Sequence, residues 1–311
     1  MTYFTVNKLI RDLKFVTIYL ADGYEEVKIS SNEINRPGLQ FAGYYNKFSP
    51  DRIQIIGGAE WEYVNDHPSH QRQAILEPFF QSEIPVVIFT RGNPVFSEAM
   101  TLARRYNRTI LSTDLKTSRL INLLINYMDV ELAPSIRSHG ILLDIYGVGV
   151  LMTGESGVGK SETALDLLVG GHKLISDDSV IIKRIDEKLL GTSPVVTRHF
   201  MEIRGVGIID VQRLFGVASV MEEKEVELMI HLEAWNENRE YDRLGLDDTY
   251  ENILGVDVPK ISIPVRTGRN TAMIVEVATR NFKIKELGYN PALALNERIM
   301  QNIEYRKTTR L

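Results

Sequence analysis

The first part of the chain alternates short apolar runs with segments of helical spacing. The strand-like runs are residues 15–20, 53–56, 85–90 and 109–111, and the helical segments are residues 97–106 and 115–128. Any of Ser112, Thr113 and Asp114 could cap the second of these helices. The alternation predicts a small, mostly parallel sheet. No nucleotide loop and no paired catalytic residues occur in this part.

The pattern breaks around residues 129–138, at Ala133-Pro134-Ser135. Two apolar runs then follow, joined at Gly147, and a helix pattern covers residues 162–168. We therefore predict an α/β fold with two domains: a small N-terminal α/β domain over residues 1–130 and a C-terminal domain over residues 131–311. Near the end, Asn290 as a cap and Pro291 in the first turn predict a terminal helix.

A phosphate-binding loop is the clearest chemical signal in the chain. Residues 154–161 read GESGVGKS, which fits G-x-x-x-x-G-K-[ST] between a strand and a helix. The loop backbone would turn its N–H groups toward phosphate oxygens, and the helix N-terminus adds its positive dipole end. Lys160 can reach the distal phosphates, and the Ser161 hydroxyl suits a magnesium ion. The residues of this predicted site are Gly154, Glu155, Ser156, Gly157, Val158, Gly159, Lys160 and Ser161.

Two adjacent carboxylates, Asp177 and Asp178, follow the apolar run of residues 173–176. An apolar strand that ends in acid is the usual setting for an aspartate linked to a metal ion. In an extended segment the two side chains point to opposite faces, so one could serve the metal and the other a proton. The alternative is a solvated acidic turn. No N-K-x-D sequence follows the loop, which disfavours a GTPase and leaves a kinase or phosphotransferase.

Residues 201–211, with the sequence MEIRGVGIIDV, combine acidic residues, an arginine and two glycines in a short segment. Glu202 could coordinate a cation, and Arg204 could hold phosphate oxygens with its planar fork. By themselves, these residues would fit a structural loop with a surface ion pair equally well.

Composition narrows the class of protein. The chain has 311 residues, with 36 Lys and Arg against 41 Asp and Glu, a net charge of −5 and no cysteine. Disulfides, thiol catalysis and cysteine-ligated metals are therefore excluded, and a general nucleic-acid binder is disfavoured because it would be basic. No apolar run reaches the length of a membrane span, and residues 1–16 do not resemble a signal peptide. We expect a cytoplasmic protein that binds neither nucleic acid nor membrane.

Several segments together resemble the HPr kinase/phosphorylase family. They are GESGVGKSE from residue 154, the aspartates at 177–178, EIRGVGIIDVQRLFG at 202–216, RSHG at 137–140, DRLG at 242–245 and PVRTGR at 264–269. The resemblance is dense in the C-terminal half, whereas the N-terminal half matches only in length and in its α/β alternation. It implies that the C-terminal domain is a P-loop kinase domain of the phosphoenolpyruvate carboxykinase-like kind.

The resemblance also implies an activity. Members phosphorylate a regulatory serine of the phosphocarrier protein HPr with ATP, or in some cases pyrophosphate, and so regulate carbon catabolite repression. They reverse the step by phosphorolysis, in which inorganic phosphate attacks the phosphoserine and pyrophosphate leaves. Mg²⁺ or Mn²⁺ is the expected cofactor, members are typically homo-hexamers, and fructose 1,6-bisphosphate can act as an effector.

Individual roles follow from the same resemblance. Asp178 is expected to be the general base, and Asp177 to support the metal or orient that base, while Ser161 and Glu202 bind the metal. The other expected catalytic residues are His139, Lys160, Arg204 and Arg243, and Arg266 and Arg269 are expected to bind the incoming phosphate. Without the resemblance, a histidine such as His139 would more often have a structural role. Arg243 could be an ordinary surface arginine, and Arg266 and Arg269 could belong to a basic, solvated turn.

Two other classes of function compete with this interpretation. One is a kinase for a small molecule, or an enzyme like phosphoenolpyruvate carboxykinase, which can share the same phosphate-loop core. The other is a regulator that binds nucleotide without catalysis and uses its N-terminal domain to bind a partner. The 202–210 segment favours the protein kinase, because a sensor needs neither a second metal carboxylate nor a base.

Overall fold

The computed structural model describes residues 2–237, 249–266 and 268–308, with side chains described up to residue 302. The chain forms two compact units, Met1–Ala133 and Pro134–Leu311. No helix among the described residues is long and apolar enough to cross a membrane.

The first unit contains seven strands and six α-helices among its described residues. The strands are β1 (Phe4–Thr5), β2 (Val16–Tyr19), β3 (Lys28–Ile29), β4 (Ile34–Asn35), β5 (Ile53–Ile56), β6 (Val86–Phe89) and β7 (Thr109–Ser112). The helices are α1 (Val6–Leu13), α2 (Gly38–Phe41), α3 (Gly58–Asn65), α4 (Ser69–Gln81), α5 (Ser97–Tyr106) and α6 (Thr117–Leu132).

A five-stranded sheet of order β2-β7-β6-β5-β4 forms the centre of this unit. Strands β4 to β7 are parallel, and only β2 runs antiparallel, so the prediction of a mostly parallel sheet is confirmed. Every residue of β5 and β6 is buried, as expected for strands covered on both faces.

The predicted capping of α6 is wrong. The helix begins at Thr117, and its N-cap is Lys116, whose side chain makes no capping hydrogen bond. Ser112 ends β7, and Thr113 accepts a hydrogen bond from the backbone N–H of Leu115 within the turn. The local sequence offered three capping residues, but the strand and its turn use these positions before the helix starts.

The second unit carries the remaining described elements. Its strands are β8 (Ser135–His139), β9 (Ile141–Ile145), β10 (Val148–Gly154), β11 (Lys173–Ser176), β12 (Ser179–Ile185), β13 (Lys188–Thr192), β14 (Phe200–Ile203), β15 (Gly207–Asp210), β16 (Glu223–Glu225), β17 (Leu228–Ala234), β18 (Thr249–Ile253) and β19 (Val256–Val265). Its helices are α7 (Lys160–Val169), α8 (Val211–Phe215), α9 (Thr271–Glu286) and α10 (Pro291–Thr308). The predicted terminal helix is confirmed, since Asn290 accepts from the N–H groups of Ala292 and Leu293.

A six-stranded sheet of order β11-β9-β10-β17-β19-β18 organises this unit. Strands β10, β17 and β19 are parallel, so their carboxyl ends meet at one edge. Helices α7 and α9 pack on one face of the sheet through Ala164, Leu167 and Val275. A second sheet, β16-β13-β12-β8, shares a separate apolar cluster with the six-stranded sheet that includes Leu142, Leu151 and Val180.

One ion pair joins the loop after α7 to α9. The His172 ring Nε2 lies 2.8 Å from a Glu276 carboxylate oxygen, with His172 almost fully buried. This contact is the main reason that the pKa of Glu276 lies below its usual value of 4.5. A carboxyl group whose pKa is lower in the folded state stabilises the fold at pH values above its pKa in the unfolded state. This stabilisation is lost as the pH falls through the pKa of the folded state.

We therefore expect Glu276→Gln to lower the melting temperature at pH 7 by about 2–4 °C. The difference from the wild type should shrink as the pH falls below 4.5 and through the lowered pKa of the native carboxyl. Thermal unfolding of both proteins across this range checks the prediction. A difference that stays constant with pH would contradict it.

Candidate active site

The phosphate loop lies at the carboxyl end of β10, where α7 begins, as the sequence predicts. Gly154 has φ +146°, and a Cβ there would come within 2.3 Å of the Leu232 carbonyl oxygen on β17. Gly159, the N-cap of α7, has φ +100°. Both positions therefore require glycine, one for close backbone approach and the other for its left-handed conformation.

Lys160 is the first residue of α7, and its side chain turns back into the loop. It is only 9% exposed, and its Nζ donates hydrogen bonds to the carbonyl oxygens of Gly154 at 2.7 Å and Glu155 at 2.9 Å. These neutral acceptors hold the ammonium group at the mouth of the loop. Because charge-assisted bonds to phosphate are stronger, a bound phosphate would draw the ammonium away from these carbonyls.

The two aspartates occupy different environments. Asp177 is 8% exposed, and its Oδ2 accepts a hydrogen bond from the backbone N–H of Glu202 at 3.0 Å. The Asp178 side chain is 76% exposed, and its Oδ1 lies 3.0 Å from His139 Nδ1. Asp178 also has φ +62°, an uncommon backbone conformation for a residue with a side chain. Burial raises the pKa of Asp177, and the neighbouring Asp178 and Glu202 carboxylates raise it further.

The β14–β15 hairpin contacts the phosphate loop. Met201 and Ile203 point into the core beneath it, so Glu202, between them along the strand, points to the opposite face. Beyond the strand, Arg204 Nη2 donates to Ser156 Oγ at 3.2 Å. The hairpin thus brings a carboxylate and a guanidinium group to the loop.

These elements enclose one cavity. Its lining consists of His139, Ile141, Ser156, Gly157, Gly159, Lys160, Ser161, Glu162, Asp177, Asp178, Glu202 and Arg204. Most of the residues predicted from sequence therefore meet, although they come from four separate stretches of the chain. Gly154, Glu155 and Val158 belong to the loop without lining the cavity.

The oxygen groups in this cavity fit a hard divalent cation. No group of three or more His, Asp or Glu residues among those described forms a complete metal site. Mg²⁺, however, commonly takes one or two protein oxygens and fills its other positions with water and substrate phosphates. The Ser161 hydroxyl and the Glu202 carboxylate supply such oxygens. Burial is the main reason that the pKa of Asp177 is raised, and the nearby Asp178 and Glu202 carboxylates add to it; a cation would relieve the repulsion between these carboxylates.

Three further arginines were predicted for the site. Arg243 is outside the described residues. Arg266 and Arg269 follow β19 and do not line the cavity, although β19 ends at the same sheet edge as β10. The guanidinium carbon of Arg266 lies 5.8 Å from the Trp235 ring centroid, and Trp235 N donates to the Val265 carbonyl oxygen at 3.1 Å. Sequence analysis missed Trp235, because only the pairing of β17 with β19 brings it to Arg266.

Comparison with known proteins covers nearly the whole chain. Residues 4–128 match the family model described as HPr Serine kinase N terminus, and residues 130–299 match the HPr Serine kinase C-terminal domain. The HPr kinase/phosphorylase of Clostridium perfringens (strain 13 / Type A) is 44% identical over 301 residues, which cover 96% of this chain and 97% of that protein. That of Caldanaerobacter subterraneus subsp. tengcongensis is 47% identical over 300 residues, 96% and 98% of the two chains.

A solved structure, the Hpr(Ser) kinase/phosphatase from Coxiella burnetii, is 39% identical in the aligned part. It covers 50% of this chain and 94% of that one, with a TM-score of 0.48.

Proposed function

This chain belongs to the HPr kinase/phosphorylase family, and on that premise we propose that it transfers a phosphoryl group to a serine of HPr and removes it by phosphorolysis. It is a kinase/phosphorylase-class enzyme. The phosphoryl donor is ATP or pyrophosphate, and the divalent cation is Mg²⁺ or Mn²⁺. A bound cation neutralises charge on the phosphate oxygens, and Ser161 and Glu202 would hold it.

The donor phosphates lie along the loop in this proposal. The N–H groups of the loop and the N-terminus of α7 point to phosphate oxygens, and Lys160 neutralises the distal ones. The planar guanidinium group of Arg204, which already contacts Ser156, donates hydrogen bonds to the transferred phosphoryl group. Phosphoryl transfer needs mainly this positioning and charge neutralisation, with little covalent chemistry from the protein.

Asp178 accepts the proton of the seryl hydroxyl as the seryl oxygen bonds to phosphorus and the bond to the leaving oxygen breaks. His139 orients the Asp178 carboxylate. In phosphorolysis an oxygen of inorganic phosphate attacks the phosphoserine, the seryl oxygen leaves, and the protonated Asp178 returns the proton to it. The strongest support for these roles is the 3.0 Å distance between His139 Nδ1 and the exposed Asp178 carboxylate, in a cavity that Lys160 also lines.

One assay tests the activity. The full chain is incubated with ATP, Mg²⁺ and purified HPr, and phosphoserine is detected by mass spectrometry. Adding inorganic phosphate to the product should then release pyrophosphate and regenerate unmodified HPr. If neither product forms, a small-molecule kinase or a nucleotide-binding regulator becomes the better interpretation. Phosphoserine without pyrophosphate would indicate a kinase that works in one direction only.

Arg266 is proposed to bind the inorganic phosphate of the reverse reaction, with Arg269 beside it. Arg266→Ala should raise the KM for phosphate in phosphorolysis by about 10-fold or more, because it removes the guanidinium group that would pair with the charge of the phosphate. Kinase activity should change much less, since the donor phosphates are held by the loop. Initial rates of both reactions check this, with Arg213→Ala, an exposed arginine on α8, as the control. Equal loss in the two directions would count against the role.

Assembly, regulation and location are proposed from the family. We propose a homo-hexamer whose kinase direction is favoured by fructose 1,6-bisphosphate, working in the cytoplasm in carbon catabolite repression. Light scattering tests the assembly, and kinase rates with and without the sugar bisphosphate test the regulation.

A further inference from the structure

We infer that Asp177 is a positioning residue: its carboxylate holds the β14–β15 hairpin against the phosphate loop, and it does not take the seryl proton. The inference rests on the proposed function in one respect, because the hairpin it positions carries the Glu202 and Arg204 of that reaction. The hydrogen bonds from which it is argued are present whether or not the protein has that function.

The first observation is that the two adjacent aspartates differ in their exposure to solvent. Asp178 presents 76% of its side chain to solvent beside His139, whereas Asp177 is 8% exposed at the end of β11. A proton acceptor must reach the seryl hydroxyl of a protein substrate, and a buried carboxylate is poorly placed to do so. Asp178 therefore suffices as the base, which leaves Asp177 without a proton-transfer task.

The second observation is the partner of Asp177. Its Oδ2 accepts from the backbone N–H of Glu202 at 3.0 Å, across 25 positions of sequence. Among the described residues, β14 and β15 form a two-stranded sheet of their own. The outer edge of β14 therefore has no neighbouring strand there, and the Asp177 carboxylate satisfies the N–H that such a strand would otherwise bind.

A second contact completes the attachment. Arg204 donates to Ser156 Oγ at 3.2 Å, so the hairpin is fixed once at the sheet edge and once at the loop. Glu202 makes the first contact through its own backbone, two residues before Arg204, and its side chain lines the cavity. Loss of the Asp177 bond would leave the Glu202 N–H without its carboxylate partner and free the hairpin to shift. An error of about 1 Å in such groups is enough to reduce catalysis strongly.

Two substitutions of Asp177 distinguish the effect of its hydrogen bond from the effect of its charge. Asp177→Asn removes the charge but keeps an oxygen that can accept from the Glu202 N–H, whereas Asp177→Ala removes the acceptor. Amide hydrogen exchange of the ligand-free full chain, read at Glu202 by NMR, reports the bond independently of catalysis. We expect exchange close to the wild-type rate in the Asn variant and at least about 10-fold faster in the Ala variant.

Kinase activity toward HPr should follow the same order. The Asn variant should stay within about 10-fold of the wild type, and the Ala variant should fall by about 100-fold. Asp144→Ala is the matched control, because its carboxylate also accepts from a backbone N–H at 3.0 Å, at the far end of β9. It should alter neither the exchange at Glu202 nor the activity.

Two results would overturn the inference. One is an Asn variant as inactive as the Ala variant while its Glu202 amide stays protected, which would mean that the charge itself is needed. The other is an Ala variant with unchanged exchange at Glu202. If the wild type does not phosphorylate HPr at all, the proposed function fails, and the exchange measurement still decides the role of Asp177.

Discussion

Replacing Asp178 by Asn should abolish both phosphorylation of HPr and phosphorolysis of its phosphoserine, with losses of about 10³-fold or more. The amide has the same shape and still accepts a hydrogen bond from His139 Nδ1, but it cannot take up the seryl proton. Asn also tolerates the left-handed backbone found here, φ +62°. The folded state should therefore survive, and only the proton transfer should be lost.

Both directions should fail together, since the group that accepts the proton in one direction donates it in the other. Nucleotide binding, measured by calorimetry in the presence of Mg²⁺, should stay within about 3-fold of the wild type. Asp186→Asn is the matched control: Asp186 is exposed, has φ +53° and lies in the turn after β12. Retained kinase activity in the Asp178 variant would refute the assignment of this residue as the base.

Lys160→Met should have the second large effect, a fall in kcat/KM for ATP of about 10³-fold. Lys160 is 9% exposed, so methionine keeps the buried aliphatic stem while removing the ammonium group. Within the described part of the chain, that group binds the carbonyl oxygens of Gly154 and Glu155. Its loss should therefore cost little stability and much phosphate affinity.

The measurements are initial rates over a range of ATP concentrations, binding titrations with ATP and with pyrophosphate, and a melting curve. Affinity for both ligands should fall, while the melting temperature stays within about 3 °C of the wild type. Lys188→Met, an exposed lysine on β13, should leave both affinities unaltered. Undiminished pyrophosphate binding in the Lys160 variant would show that the loop does not hold the phosphates.

Much of the fold could be predicted because its signals are local. Strand β5 and helix α5 have the bounds that the apolar spacing indicates, and the β10-loop-α7 unit follows directly from GESGVGKS between its flanking patterns. Local signals also misled: three potential capping residues precede α6, but they lie at the end of β7 and in the turn that follows it. Strand β8, which carries His139, was not predicted, because its residues acquire a strand partner only through pairing with β12.

The sequence alone determined the kind of chemistry. Without cysteine, and with one phosphate loop, two aspartates and the EIRG segment, the candidate groups for the reaction are carboxylates, lysine, arginine and histidine, together with a bound cation. The tertiary structure decided the environment of each of these groups. Adjacent aspartates are equivalent in a sequence, and they differ only once the hairpin of residues 200–210 folds over one of them. Asp177 is then buried against the hairpin and Asp178 stays exposed beside His139, because burial and hydrogen bonding depend on contacts between residues far apart in the chain.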